Sequence, residues 1–327
     1  MNFTTFQEQR QALLAARPEL LDCAETNLYR ALSHLIPATP PPVTGTVHRC
    51  HLASQWVATY DLPAEWSKRA FISNGVRDSL TRLFSHYAQQ GTQLWIPEDN
   101  YPVYHELATA AGLSPKTFPT LPDIQWPTEA PSLQDEVLLI THPLKPRNRP
   151  LESDDADSIL AWLQVNPRRR LLLDAVYTLE ARFDKTTRRL LETEQTILLH
   201  SLTKGWLYPR LFGIALVPEA DAEDLKPAFR DSPPSQSHLN TARNLMTAHP
   251  DTPRRVAQAL EAAQRHLFSS LPALPQEPLP THGVGYFFPI QMPWQELLNH
   301  HVLGLPATTF GSKREDFTIL SSLSFTS

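Results

Sequence analysis

Lys204 closes the apolar run "QTILLHSLTK", with Ser201 three positions before it and Arg210 six after it. An ε-amine so placed is a candidate nucleophile. Without its proton it condenses with a carbonyl to a Schiff base, and neighbouring groups then tune the electronics of the adduct. Thirty residues earlier, "RRLLLDAVY" ends in Asp174 and, three positions on, Tyr177, a carboxylate and a phenol. Other apolar runs are also followed at once by polar residues: Asn74 and Gly75, Glu98 to Tyr101, and His142 with Lys145. Taken singly, each has a plainer reading: a solvated lysine, a packed tyrosine, a serine capping a loop, an arginine in a surface ion pair.

Two other chemistries use parts of these patterns. Serine acyltransferases also carry Ser-x-x-Lys, but they need Ser-Asp-Asn and Lys-Thr-Gly downstream and a serine that opens a helix. Neither motif follows Lys204, and Ser201 ends a strand-like run. "HGVGYFF" holds Gly-x-Gly but lacks the third glycine of a dinucleotide fingerprint and leads into a strand. "HRCH" at 48 to 51 is the only tight His/Cys cluster, and with Cys23 and Cys50 as the only cysteines neither a zinc pattern nor a disulfide framework is expected.

The candidate residues need a scaffold that brings strand ends together. From "RAFISNGVRDSL" onward, short apolar runs alternate with amphipathic helices: "AFIS" then a helix over 77–90, "TQLWIP" then one over 103–111, and afterwards "EVLLITHP", "RRLLLDAVY", "QTILLHSL" and "LFGIALV". Runs that do not alternate suit a mostly parallel sheet covered on both faces, so residues 70 to about 220 read as a doubly wound α/β domain. "ESDDADSILAWLQVN" supplies the crossover helix between strands at 137–141 and 170–174, with acidic residues at its positive end. In such sheets ligands bind at the carboxyl ends of the strands. At the N-terminus, Thr5 and Glu8 read as a capping box for a helix stopping before Pro18. Helices over 238–248 and 251–269, "VGYFFPI" and a final strand "FTILSSLSF" make a smaller α+β unit.

Composition narrows the partners. The 327 residues are 41% hydrophobic, enough for a substantial core, and 29 Lys+Arg against 34 Asp+Glu give a scattered net charge of -5. That balance offers no footprint for nucleic acid or an anionic membrane, and no apolar run is long enough to span one, so a small molecule is the expected partner and the cytoplasm the expected location. With 31 prolines against 10 glycines, no flexible Gly-rich phosphate loop is expected.

Pyridoxal phosphate asks four things of a protein: a lysine, an acid for its ring nitrogen, a donor near its phenolic oxygen and a phosphate cradle. All four have candidates, and at these residues the chain resembles the fold-type I pyridoxal-phosphate enzymes, especially the class I/II aminotransferases and their decarboxylase relatives. "LLLDAVYTLE" is similar to that family's Asp-x-x-Tyr strand end, and "SLTKGWLYPRLFG" to its Ser-x-x-Lys segment and following arginine. The resemblance implies that Lys204 holds the cofactor as a Schiff base, Asp174 pairs with the ring nitrogen and Tyr177 hydrogen-bonds the phenolic oxygen. It implies further that Ser201, Arg210 and the turn Gly75, Val76 and Arg77 hold the phosphate, and that Tyr101 stacks on the ring. In "HPLKPRN", His142 and Lys145 stand where the family has asparagines, which puts Lys145 at the phenolic oxygen. Ser322 stands where it has a carboxylate-binding arginine, with Arg149 or Arg314 as candidate substitutes.

By the same resemblance an N-terminal helix and arm (1–45) pack on a small α+β domain (231–327), beside a large cofactor-binding domain (46–230). The expected protein is a homodimeric aminotransferase acting on an amine or amino acid. A decarboxylase, lyase or cyclase of the same fold, or a degenerate non-catalytic relative, are the alternatives.

Overall fold

Strands covered by helices on both faces have no solvent side, so their sequences need not alternate. The computed structural model, which describes residues 2–36, 45–127, 134–180, 182–208, 212–231, 233–279 and 285–326, builds its larger sheet from such strands. The chain enters through α1 (Phe3–Ala16), β1 (Leu21–Cys23), α2 (Leu28–Ala31) and α3 (Arg49–Thr59). It continues with β2 (Ala70–Ser73), α4 (Val76–Gln89), β3 (Gln93–Pro97), α5 (Val103–Ala110), β4 (Lys116–Phe118), β5 (Glu136–Thr141), α6 (Ser153–Gln164) and β6 (Arg170–Asp174). Then come α7 (Lys185–Leu191), β7 (Thr196–Ser201), β8 (Gly213–Leu216) and α8 (Ala222–Arg230).

Strands β2 to β8 form one seven-stranded sheet in the order β2-β8-β7-β6-β5-β3-β4. Its neighbours pair parallel except at β8, which is antiparallel to both β2 and β7. Leu138, Ile140, Leu171, Leu173 and Leu198 pack on one face with Trp56 of α3, Ile159 and Trp162 of α6 and Leu190 of α7. Val137, Leu139, Leu172, Ile197 and Leu199 pack on the other with Leu83 and Phe84 of α4, Tyr104 of α5 and Phe229 of α8. Burying each such side chain contributes roughly 1.5–3 kcal/mol. Changing one central leucine to a charged residue would break that layer, because both faces are sealed.

After α9 (Gln236–Ala248) and α10 (Thr252–Ser270), β9 (Phe287–Ile290), α11 (Trp294–Asn299), β10 (Val302–Pro306) and β11 (Thr318–Ser321) complete the described elements. A four-stranded sheet in the order β1-β10-β11-β9 results, with β1 parallel to β10 and the other pairs antiparallel. The N-terminal segment thus pairs with a strand some 280 positions away in sequence. Although the sequence reading puts α9 with the small unit, its Leu239, Ala242, Leu245 and Met246 join the core on the α3 face of the large sheet.

Other local expectations change too. The first helix is capped by Asn2, whose side chain accepts from the Thr5 amide at 2.9 Å, so Thr5 lies inside the helix rather than at its cap. The final strand stops at Ser321, whose hydroxyl accepts from the Leu323 amide at 3.2 Å and starts a short 3₁₀ turn over Ser322–Phe325. Three strands, β1, β4 and β10, are absent from the sequence reading. Two of them have three residues, too few for a period to register, and the third, "VLGLP", is interrupted by glycine and proline.

Candidate active site

Ser73, Thr141, Asp174 and Ser201 all end strands at one edge of the large sheet, because β2, β5, β6 and β7 point the same way. Gly213 opens β8 between Ser73 and Ser201 and pairs with both. A Cβ on Gly213 would fall 2.5 Å from the Gly75 carbonyl carbon and from Ser73 Oγ, so glycine is required for the turn to lie against β8. Ser73 Oγ is 2.6 Å from Ser79 Oγ and donates to the Gly75 carbonyl at 3.1 Å, bracing that turn from below.

Gly75 caps α4 with φ +106, a backbone conformation suited to glycine, and the space beside its Cα is open. The turn therefore presents the first amides of α4, at Val76 and Arg77, to an approaching anion. The Arg77 side chain is exposed. Ser201 is buried at the end of β7 and accepts from the Thr203 amide at 3.3 Å, which leaves its hydroxyl hydrogen free to donate. Arg210, the remaining phosphate candidate, lies outside the described residues.

Asp174 is buried, and both of its oxygens are engaged: Oδ1 accepts from the Val176 amide at 3.1 Å and Oδ2 from the Tyr104 hydroxyl at 2.6 Å. Burial pushes its carboxyl up to about 6, while Tyr104, the Val176 amide and the Lys204 charge each favour the carboxylate. The Lys204 ammonium loses more by desolvation than Asp174 restores, and its pKa falls to about 8. Its Nζ lies 5.3 Å from the ring centroid of Tyr177 and 5.5 Å from that of Tyr29, whose hydroxyl donates to the Thr203 carbonyl at 3.0 Å.

Tyr177 hydrogen-bonds Tyr286, the residue before β9, and burial raises the Tyr177 phenol to about 12. Lys145 is buried against the same ring. Its Nζ is 4.4 Å from the Tyr177 centroid, 5.1 Å from that of Tyr286 and 5.7 Å from that of Phe287, and it donates to Asn148 Oδ1 at 2.7 Å. Burial, with the nearby Lys204 charge, lowers Lys145 to about 7. Tyr101 is 49% exposed before α5, edge-on to Tyr104 at 6.2 Å.

The structure thus brings Lys204, Asp174, Tyr177, Ser201, Lys145 and the Gly75 turn to one edge. Both candidate arginine substitutes are committed elsewhere. Arg149 makes a two-pronged pair with Asp155 at 2.5 and 3.1 Å, and Arg314 one with Asp316 at 2.8 and 2.6 Å. Ser322 is fully buried. Sequence reasoning missed Tyr29, Tyr104, Asn148, Tyr286 and Phe287. Of these, Tyr104 had a signal, a polar-tipped aromatic on the apolar face of a helix that follows a strand end. Among the described residues, no three metal-ligating side chains cluster and no helix is long and apolar enough to cross a membrane.

No protein-family model and no curated protein matches the sequence. Solved structures do match. An aspartate aminotransferase of Thermus thermophilus, in double-mutant form, superposes with a TM-score of 0.71 at 15% identity, covering 99% of this chain and 92% of that one. YbdL of Escherichia coli, with a methionine aminotransferase function, gives 0.71 at 14% identity over 96% and 92%. The L-threonine-O-3-phosphate decarboxylase of Porphyromonas gingivalis gives 0.62 at 16% over 93% and 92%. At these identities the likeness establishes the fold: the chain is built on the fold-type I architecture.

Proposed function

We propose that this chain is a pyridoxal-phosphate-dependent aminotransferase acting on an amino acid or amine. The observation that carries the reading is the placement, at adjacent strand ends, of a buried carboxylate and a buried lysine amine whose charges act on each other. The residues fit the cofactor: an acid, an amine, a phenol and a braced helix N-terminus with open space beside Gly75. When bound, pyridoxal phosphate takes up the electron pair left at the substrate α-carbon as a bond there breaks.

Lys204 would hold the cofactor through its amine and would serve as the base that removes and returns the substrate α-proton. Asp174, as the carboxylate, holds a proton on the ring nitrogen; lone pairs remain for this beside its two present donors. Tyr177 and Lys145 donate to the phenolic oxygen, Tyr101 stacks on the ring, and Ser201, Arg210 and the Gly75, Val76 and Arg77 turn hold the phosphate. A second copy of the chain is the proposed partner, supported by the shared architecture alone.

The test is direct. Purified protein mixed with pyridoxal phosphate should gain a visible absorbance band, and borohydride should fix the cofactor's mass on the Lys204 peptide. Colourless, unlabelled protein would sink the proposal. With the cofactor bound, conversion to its amine form by an amino donor supports transamination, and turnover without it selects the decarboxylase or lyase alternative.

A further inference from the structure

We propose that Lys145 and Asn148 form the receptor for the carboxylate of an amino-acid substrate, doing the work of an arginine clamp; this rests on the reading that the site handles an amino compound.

Lys145 carries three N–H donors, and one is used, on Asn148 Oδ1. The Asn148 amide nitrogen, with two donors, is buried without a partner, and so is the Ser322 hydroxyl. No carboxylate among the described residues pairs with Lys145; the rings of Tyr177, Tyr286 and Phe287 flank its Nζ, and the nearest charge acting on it is the like charge of Lys204. A buried cation beside unused donors is costly unless an anion completes it, because each unmet polar group keeps its desolvation penalty. A carboxylate, an acceptor with about four lone-pair sites, answers that surplus.

The placement is built. Asn148 sits at φ +52, in the left-handed region, with its side chain over Gly285, where a Cβ would come within 1.6 Å of Oδ1 and 1.8 Å of Nδ2. Only glycine at 285 lets that amide reach Lys145. Ser322 donates its backbone amide to the Tyr286 carbonyl at 3.0 Å, which sets it opposite the residue whose ring covers Lys145 Nζ. The Nζ atoms of Lys145 and Lys204 lie 4.4 and 5.3 Å from the Tyr177 ring centroid, so a molecule held by its carboxylate at Lys145 is within reach of Lys204 with its amino end. Three other arginines are occupied: Arg149 by Asp155, Arg314 by Asp316, and Arg147 by the Pro122 carbonyl and Asp123. One Lys145 N–H on the cofactor's phenolic oxygen still leaves another for the substrate.

The experiment titrates the full-length protein as purified, with and without added pyridoxal phosphate, using propionate, propylamine and inorganic phosphate in separate calorimetric arms at pH 6.5. Propionate is expected to bind and propylamine not to. Lys145→Met should weaken propionate at least tenfold, Lys145→Arg should restore most of it, and Asn148→Asp, whose new carboxylate satisfies Lys145 internally, should match the loss. Because exchanging a buried cation for a packed apolar chain is often tolerated, Lys145→Met should fold; if it does not, Asn148→Asp carries the test. Undiminished propionate binding in either variant, or equal binding of propylamine, overturns the proposal. Tighter, Lys145-dependent binding of phosphate overturns the carboxylate assignment. Protein that binds propionate through Lys145 yet takes up no pyridoxal phosphate upholds this receptor and defeats the cofactor reading separately.

Discussion

The Tyr104 hydroxyl, on α5, donates to Asp174 Oδ2 at the end of β6 at 2.6 Å. This bond offsets part of the burial that holds Asp174 near 6 and keeps the carboxylate ionised at neutral pH.

Tyr104→Phe removes the donor and nothing else of the ring. A hydrogen bond to a charged group is worth about 1.5–3 kcal/mol, so the Asp174 pKa should rise by at least about one unit. The acid limb of the pH–activity profile is expected to move to higher pH, with a loss of about threefold or more at pH 6.5 and little at pH 8.5. An unmoved limb would show that Tyr104 only fills space.

Lys204 should react as an amine of unusually low basicity. With its pKa near 8, roughly one molecule in five carries the neutral amine at pH 7.4, against about one in a thousand for an ordinary lysine. Borohydride trapping of pyridoxal phosphate on Lys204, followed by peptide mass, should rise steeply between pH 7 and 9 and then level off. An Asp174→Asn variant loses the charge that favours the ammonium, and its curve should shift to lower pH.

Gly213→Ala drives a Cβ into the Gly75 turn and Ser73 Oγ. Overpacking of this kind costs about 1–3 kcal/mol, and the turn that yields is the proposed phosphate cradle. Urea unfolding should show that loss, and pyridoxal-phosphate affinity should fall with it. Full affinity in the variant would place the phosphate elsewhere.

His200 is buried between Trp56, Tyr60 and Phe183, with Nε2 3.1 Å from the Tyr60 hydroxyl, and burial lowers its pKa to about 4. A histidine whose folded pKa is depressed adds stability above its unfolded value near 6.5, and that stability is lost as pH falls toward 4. Asp174 acts the opposite way, since a raised carboxyl pKa costs stability as pH rises from about 4 to 6. The comparison must therefore be with His200→Gln, which leaves Asp174 in place. The difference in unfolding free energy between wild type and variant should be about 2 kcal/mol larger at pH 7 than at pH 5. A constant difference would mean that His200 is not held neutral.

Much of the site was legible because its residues follow strands that are sealed on both faces. Asp174 and Ser201 each end a run of leucines and isoleucines, and a covered parallel strand announces itself by that run. Helix faces were legible for the same reason, since a 3.6-residue period records which side meets the sheet. Single caps were less so: Asn2 competes with Thr5 on nearly equal chemical terms, and only the backbone path chooses.

By itself, then, the sequence determined the covered parallel sheet and the amine, acid and phenol at its edge, because burial on both faces and the strand ends leave marks within a few residues. Only the tertiary structure decided what surrounds them. Tyr286 and Phe287 reach Lys145 across more than 100 positions, Asn148 depends on the missing side chain of Gly285, and Arg149 and Arg314 are taken by Asp155 and Asp316. The physical reason is that such contacts arise from the packing of one element on another, and a pairing between distant residues imposes no period on either stretch of chain.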